Sequence, residues 1–171
     1  IVIIHSSELP HGRGWAPIYY SIKEEQSDYV ISCIFANDDV DKGDIIIKAS
    51  FPILPDYTAT FLRKVDREIS FLLIKKISDK WLNGKIISNK QQGVESYRPR
   101  RYPDDNEIKT SNTLESLLPH LRAVENNNPA FFYYKGIKYL ISISPEKEPE
   151  FPNKIKIEYP GINEIEYWSK S

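Results

Sequence analysis

The sequence predicts an α/β fold in which a parallel sheet is flanked by helices. Runs of β-branched residues at 1–4 and 45–47 are typical of strands buried on both faces, as strands inside a parallel sheet are. Apolar residues recur at helical spacing from 58 to 77, which indicates a long amphipathic helix. Because predicted strands and helices alternate in the first half of the chain, a parallel α/β sheet is favoured there.

The elements of the first half follow in a simple order. Strands are predicted at residues 1–4, 28–35 and 45–49. A short helix is predicted from Pro17 to about Lys23, because proline suits the first turn of a helix. We treat residues 1–95 as the first of two predicted parts of the chain.

The second half, residues 96–171, changes character and is predicted to form a small α+β appendage. Its predicted elements are a helix over 113–124, a hairpin of 130–134 with 138–143, and a last strand over 153–159. The hairpin is expected to turn at Lys135-Gly136.

Composition excludes several classes of partner. Twenty-three Lys and Arg against 24 Asp and Glu give a net charge of −1, so the chain has no general attraction to nucleic acid or to anionic lipid. No apolar run approaches the roughly 18–20 residues that cross a bilayer, and we expect no membrane partner. The single cysteine, Cys33, is expected to be a reduced core thiol of a cytoplasmic protein. The sequence leaves a homodimer open.

The chain begins on the β-branched run at 1–4 and contains no methionine. Since a buried central strand is an unusual place for a domain to start, further sequence is expected upstream. A signal peptide is the alternative, but His5, Glu8 and the lack of a basic start disfavour it.

A histidine and an aspartate are predicted to meet at one edge of the sheet. His5 directly follows the first strand, and Asp41 follows the second strand after a turn. Ligands of open α/β sheets bind outside the carboxyl ends of the strands, so both side chains are expected at one crevice. A histidine with a carboxylate partner is a common acid–base pair. The alternatives are a structural histidine and a solvated acidic turn.

Three segments resemble those of the folate-dependent formyltransferase family. Residues 5–17 are similar to its H-x-S-x-L-P-x-x-R-G-x-x-P segment, and Asp41, Gly43 and Ile45 match its D-x-G-x-I signature after a strand. His5 and Asp41 are 36 residues apart, which fits the family's separation. Residues 98–108 are similar to the R-x-P-x-D-x-x-I run that follows the catalytic domain.

The resemblance implies a Rossmann-like domain that transfers a formyl group from 10-formyltetrahydrofolate to a primary amine, without a metal site. It implies that His5 stabilises an oxyanion and assists proton transfer, while Asp41 orients the histidine and relays a proton. The loop before the aspartate would contact the pterin of the cofactor, through Ala36, Asn37, Asp38 and Val40. The acceptor side of the crevice would be lined by Ser7 and Arg13, because arginine offers a forked donor to phosphate or sugar oxygens.

The chain departs from the family pattern at Ile3, where most members carry an asparagine that helps to hold the formyl oxygen. Loss of one oxyanion donor typically costs ~10²–10³ in rate, unless a serine hydroxyl (Ser6 or Ser7) or a water replaces it. The family's nucleotide-fold domain also starts well before the histidine. Residues 1–95 are therefore interpreted as the C-terminal half of the catalytic domain.

The favoured acceptor is a nucleotide-linked amino sugar of the kind used in surface-glycan synthesis. The acidic residues of the last 26 positions would repel the phosphates of tRNA. Arg98, Arg100 and Arg101 fit either a self-paired loop or a diphosphate site. The alternatives are a methionyl-tRNA formyltransferase and a non-catalytic fragment that keeps the fold.

Overall fold

The computed structural model describes residues 1–84 and 86–170; residues 85 and 171, one in each of the two predicted parts, lie outside it. The strands are β1 (Val2–His5), β2 (Arg13–Gly14), β3 (Asp28–Phe35), β4 (Ile45–Pro52), β5 (Tyr97–Arg98), β6 (Ala130–Tyr134), β7 (Ile137–Ile141), β8 (Ile155–Tyr159) and β9 (Glu164–Trp168). The helices are α1 (Pro17–Lys23), α2 (Ala59–Leu82) and α3 (Leu114–Ala123), with a 3₁₀ turn at Pro103–Asn106.

A five-stranded sheet in the order β1-β3-β4-β8-β9 organises the molecule. The α/β class and the adjacency of the first three predicted strands are confirmed, but all four pairings within this sheet are antiparallel. A parallel pair occurs between the two-residue strands β2 and β5. The expected direction was wrong because nine residues without a helix link β3 to β4, too few for the crossover that parallel neighbours need.

Both faces of the sheet are covered, which explains why its strands resemble those of a parallel sheet. On one face, α1 and α2 contribute Ile22, Leu62, Val65 and other apolar side chains to the main core. On the other face, Leu9 from the loop after β1 packs with Ile34 and Ile45. Uninterrupted apolar strands are therefore needed here whatever the strand direction.

The predicted helices are present. Proline occupies the first turn of α1, as expected. The long helix α2 runs five residues beyond the predicted end, and the Thr58 hydroxyl caps it by accepting a hydrogen bond from the Phe61 N–H at 3.3 Å. Thr113 caps α3 in the same way, at 3.2 Å from the Ser116 N–H.

The sheet crosses the predicted boundary between residues 95 and 96. Strand β8 pairs with β4, with Ala49 opposite Ile157, and β9 extends the same sheet. The β6–β7 hairpin forms a separate two-stranded sheet and turns at Lys135 and Gly136, both with positive φ. Strand β9 was missed because its alternation of glutamate with apolar residues was attributed to an acidic tail.

The described helices are not of the membrane-spanning kind: in residues 1–84 and 86–170 none is both long and apolar enough to cross a bilayer. Cys33 is fully buried in the main core, and burial raises the pKa of its thiol to about 12. The expected core thiol is therefore observed.

Gly43 is the position at which the connection between β3 and β4 approaches the sheet most closely. A Cβ atom added there would lie 1.5 Å from the carbonyl oxygen of Phe35, a backbone atom that cannot move aside. This contact explains why the D-x-G signature has a glycine at its third position.

We expect Gly43→Ala to lower the free energy of unfolding of the complete gene product by more than about 3 kcal/mol, since overpacking against backbone exceeds the usual 1–3 kcal/mol. Gly136→Ala is the control, because its Cβ would meet no atom within 4 Å and only the positive φ of +80° is penalised. That penalty is about 1–2 kcal/mol. Equal losses for the two variants in denaturant unfolding would contradict the packing argument.

Candidate active site

His5 and Asp41 meet in the structure as the sequence predicted. The His5 Nδ1 atom lies 3.4 Å from Asp41 Oδ2, and their side chains are 8% and 13% exposed. Partial exclusion of water strengthens the electrostatic interaction between an imidazole and a carboxylate. The pair is therefore suited to acid–base chemistry.

The reason given for this convergence was wrong. His5 pairs with Ser32 and Val2 pairs with Phe35, so β1 and β3 end at opposite sides of the sheet. The loop that carries Asp41 starts about 10 Å from His5, since the end of β3 lies three residues beyond the residue that pairs with His5. The loop 36–44 therefore returns along the sheet to bring Asp41 to the histidine.

The loop after β1 surrounds the histidine. The His5 Nε2 atom is 2.9 Å from the carbonyl oxygen of Gly12, so the two ring nitrogens face a carboxylate and a carbonyl. Only the doubly protonated ring donates to both. Asp41 Oδ2 also accepts a hydrogen bond from the Gly14 N–H at 2.8 Å, which fixes the carboxylate against the same loop.

The two serines after the histidine have different environments. Ser6 Oγ donates to Asp66 of α2 at 2.5 Å, and Tyr29 donates to the same carboxylate at 2.9 Å. The Ser7 hydroxyl is buried and has no hydrogen-bond partner among the described residues. Of the two candidates to replace the missing asparagine, Ser7 therefore has the uncommitted hydroxyl.

Arg13, predicted to bind the acceptor, has other partners. Its Nη1 atom lies 2.5 Å from Glu95 Oε2, and its Nε and Nη2 atoms donate to Gln91 Oε1 at 3.2 and 2.7 Å. The guanidinium is buried and its charge is compensated, so Arg13 is not available to a phosphate in this structure. Instead it ties the histidine loop to the segment after α2.

That segment holds the functional residues that sequence reasoning missed. Ser96 Oγ accepts a hydrogen bond from the Gly12 N–H at 2.8 Å, and the Ser96 carbonyl accepts one from the Arg13 N–H at 3.0 Å. Gln91 and Glu95 complete the contacts of Arg13. Its Gln91-Gln92-Gly93 sequence is typical of a loop, and no spacing rule connects it to residue 13.

The predicted cofactor loop is exposed. Ala36, Asn37, Asp38 and Val40 all lie at the surface directly before Asp41. Val40 borders a cavity of about 450 Å³ that Tyr97 and Lys42 also line. Backbone groups of this loop are thus accessible beside the carboxylate.

The arginines of the third motif have separate partners. Arg98 pairs with Glu24 at 2.5 Å, and Arg101 donates to the Asn106 side chain at 2.7 Å. Arg100 instead lies over the exposed rings of Trp15 and Tyr102, at 4.9 and 5.6 Å from their centroids. The self-paired interpretation therefore describes Arg101, whose partners lie in the same loop, whereas the partner of Arg98 lies outside it. Arg100 and its two aromatic neighbours form an open surface next to Gly14.

This arrangement supplies an acid–base pair but no evident metal centre. Among residues 1–84 and 86–170 no group of three or more His, Cys, Asp or Glu side chains could hold a metal ion. Several residues of the two loops that meet at the pair have positive φ, among them Gly12, Gly14 and Asp41 itself at +54°. Non-glycine residues in this conformation are uncommon and concentrate at functional sites.

Known proteins are similar to this chain in sequence and in fold. Residues 1–72 match the family model described as formyl transferase. A methionyl-tRNA formyltransferase of Acetivibrio thermocellus is 30% identical over 159 residues, which cover 89% of this chain and 49% of the relative. The chain spans about half the length of the curated relatives it matches.

Two solved structures show the same fold. A 4-N formyltransferase from Francisella tularensis superimposes with a TM-score of 0.75 at 23% identity, over 86% of this chain and 63% of that one. HypX from Aquifex aeolicus, solved in complex with tetrahydrofolic acid, gives a TM-score of 0.69 at 15% identity, over 91% of this chain and 29% of that one. The matched segment, the relatives and the shared fold together support a place for this chain in the folate-dependent formyltransferase family.

Proposed function

We propose that this chain provides the catalytic pair of an enzyme that transfers a formyl group from 10-formyltetrahydrofolate to a primary amine. The observation that supports it best is the contact between His5 and Asp41, 3.4 Å apart at the two positions that match the family's motifs. The proposal concerns the complete gene product.

In the proposed reaction the amine attacks the formyl carbon, a carbon–nitrogen bond forms, and the carbonyl oxygen becomes an oxyanion. The His5 Nε2 atom, which lies 2.9 Å from the Gly12 carbonyl oxygen in the structure, is the ring nitrogen proposed to donate to that oxyanion. Asp41 holds the imidazole through Nδ1 and relays the proton that the amine loses. The bond from the formyl carbon to N10 then breaks, and N10 receives the proton.

The oxyanion needs a second donor, because Ile3 offers none. Ile3 packs with the apolar residues Leu9, Ile34 and Ile45 beneath the histidine loop. The buried Ser7 hydroxyl is our candidate for this hydrogen bond, since its donor is uncommitted among the described residues.

The donor substrate is proposed to contact the loop 36–40. This loop is exposed, and its last residue borders the cavity beside Asp41. The HypX structure holds tetrahydrofolic acid in the same fold, which supports a folate donor for this chain. Ala36, Asn37, Asp38 and Val40 would contact the pterin mainly through backbone groups.

The acceptor is proposed to be a nucleotide-linked amino sugar. Trp15 and Tyr102, 49% and 59% exposed, offer rings on which a base can stack, and Arg100 between them can pair with a phosphate. The Francisella structure, described as a 4-N formyltransferase, supports a small amine acceptor. The second candidate is methionyl-tRNA, because the curated relatives carry that name. That the protein is cytoplasmic and that it forms a homodimer remain predictions.

We expect His5→Ala and Asp41→Asn each to lower kcat for formyl transfer by at least ~10²-fold, because each residue acts on the proton or the charge in the transition state. Asp79→Asn is the matched control, because it makes the same change at an exposed aspartate of α2 that has no part in the site. Steady-state kinetics with a formyl donor should leave that control near wild type. Near-normal turnover of either test variant would refute the roles of the pair.

Calorimetry on the complete gene product tests the acceptor. We expect binding of a nucleotide-linked 4-amino sugar, weakened at least tenfold by Arg100→Ala, and no salt-sensitive binding of initiator tRNA, which requires contacts to several phosphates. Lys109→Ala, which removes an exposed cation elsewhere in the chain, is the control. Tight tRNA binding that weakens steeply with salt would establish the second candidate. If neither ligand nor folate binds, the non-catalytic alternative holds.

A further inference from the structure

The side chain of Gln91 lies between the two loops that form the site. Its Nε2 atom donates to the carbonyl oxygens of Asp41 and Gly43, at 2.7 and 2.8 Å. Its Oε1 atom accepts from Arg13, from Nε at 3.2 Å and from Nη2 at 2.7 Å. One amide therefore joins the loop that carries Asp41 to the loop that surrounds His5.

Every hydrogen-bonding group of this amide is used. A primary amide has two N–H donors and two acceptor lone pairs, and Gln91 makes two bonds of each kind. Fully satisfied polar networks of this sort are rigid and fix one arrangement of the groups they join. Arg13 is also held on its other side by Glu95, so the arginine provides a fixed anchor.

The two carbonyl groups that Gln91 binds are those that determine where Asp41 points. Asp41 has a φ of +54°, an uncommon conformation for a residue with a side chain. The amide binds the carbonyl of Asp41 itself and that of Gly43, two residues later. Their fixation keeps the strained turn in the form that directs the Asp41 carboxylate to the histidine.

We infer that Gln91 is a positioning residue for the catalytic pair: it holds Asp41 in register with His5 and does so through the backbone of the loop 41–43. The inference rests on the proposed function, because the pair has a catalytic role only there. Gln91 makes its contacts to protein groups, so its effect on the reaction passes through Asp41. Loss of the amide lowers kcat more than it raises KM.

The neighbouring Gln92 provides a matched control. It is exposed, and the same substitution can be made there without touching either loop. Gln91→Leu removes all four hydrogen bonds at nearly constant volume. Gln91→Glu keeps an oxygen for Arg13 but loses both donors, and Gln91→Asn keeps the amide on a shorter stem.

We expect Gln91→Leu to lower kcat of the complete gene product about 10²-fold, the order that a misplacement of about 1 Å can cost, and Gln92→Leu to leave it unchanged. Because Gln91 acts through Asp41, the double variant Gln91→Leu/Asp41→Asn should be no slower than Asp41→Asn alone. Gln91→Asn should recover part of the loss. Independent, multiplying losses in the double variant would overturn the inference, as would normal kcat for Gln91→Leu.

An NMR measurement distinguishes a failure of this inference from a failure of the proposed function. At fixed pH, the ¹⁵N resonances of the His5 ring should move in Gln91→Leu in the direction that Asp41→Asn produces, and stay in place in Gln92→Leu. If the wild type transfers no formyl group, the proposed function fails, and the His5 resonances still decide the positioning role. If Gln91→Leu does not fold, Gln91→Glu is measured in the same way. Unmoved His5 resonances would contradict the inference.

Discussion

The site depends on one constraint, the return of the loop 36–44 along the sheet. Antiparallel pairing of β1 with β3 separates the ends of these strands, so Asp41 starts on the far side from His5. The loop crosses back because Gly43 lies directly against the carbonyl of Phe35, and because the Phe35 N–H donates to the Asp44 carbonyl at 3.0 Å. Without this close approach, the two side chains would lie at opposite ends of a strand.

The histidine loop meets the returning loop from the other side. Its residues Gly12 and Gly14 direct a carbonyl to His5 and an N–H to Asp41. Parallel pairing of β2 with β5, and the contacts of Ser96, fasten this loop to the segment after α2. Three stretches that are distant in sequence thus converge on one imidazole and one carboxylate, and each limits the movement of the others.

Much of this could be predicted from the sequence where a local rule applies. The start of α1 followed from Pro17, the helix α2 from its apolar spacing, and the proximity of His5 and Asp41 from their motifs. Strand direction could not be read in this way, because an apolar run reports burial of both faces and not the orientation of the neighbour. The partners of Arg13 were also hidden, since a buried arginine and a ligand-binding arginine look alike in sequence. Gln91 and Glu95 lie about 80 residues away from Arg13, and only the folded chain brings them together.

The last two strands of the sheet that supports the site, β8 and β9, come from the C-terminal part of the chain and are synthesised last. Lys48 of β4 faces Glu158 of β8, more than 100 residues further along the chain, and β9 then pairs with β8. Until β8 has been synthesised, the apolar strand β4 lacks the partner that covers its second edge. Unpaired edges of this kind attract other chains, and such long-range pairing is slow to form. The order of synthesis thus leaves the nascent chain open to aggregation while His5 and Asp41 are already present and the strands β8 and β9 are not.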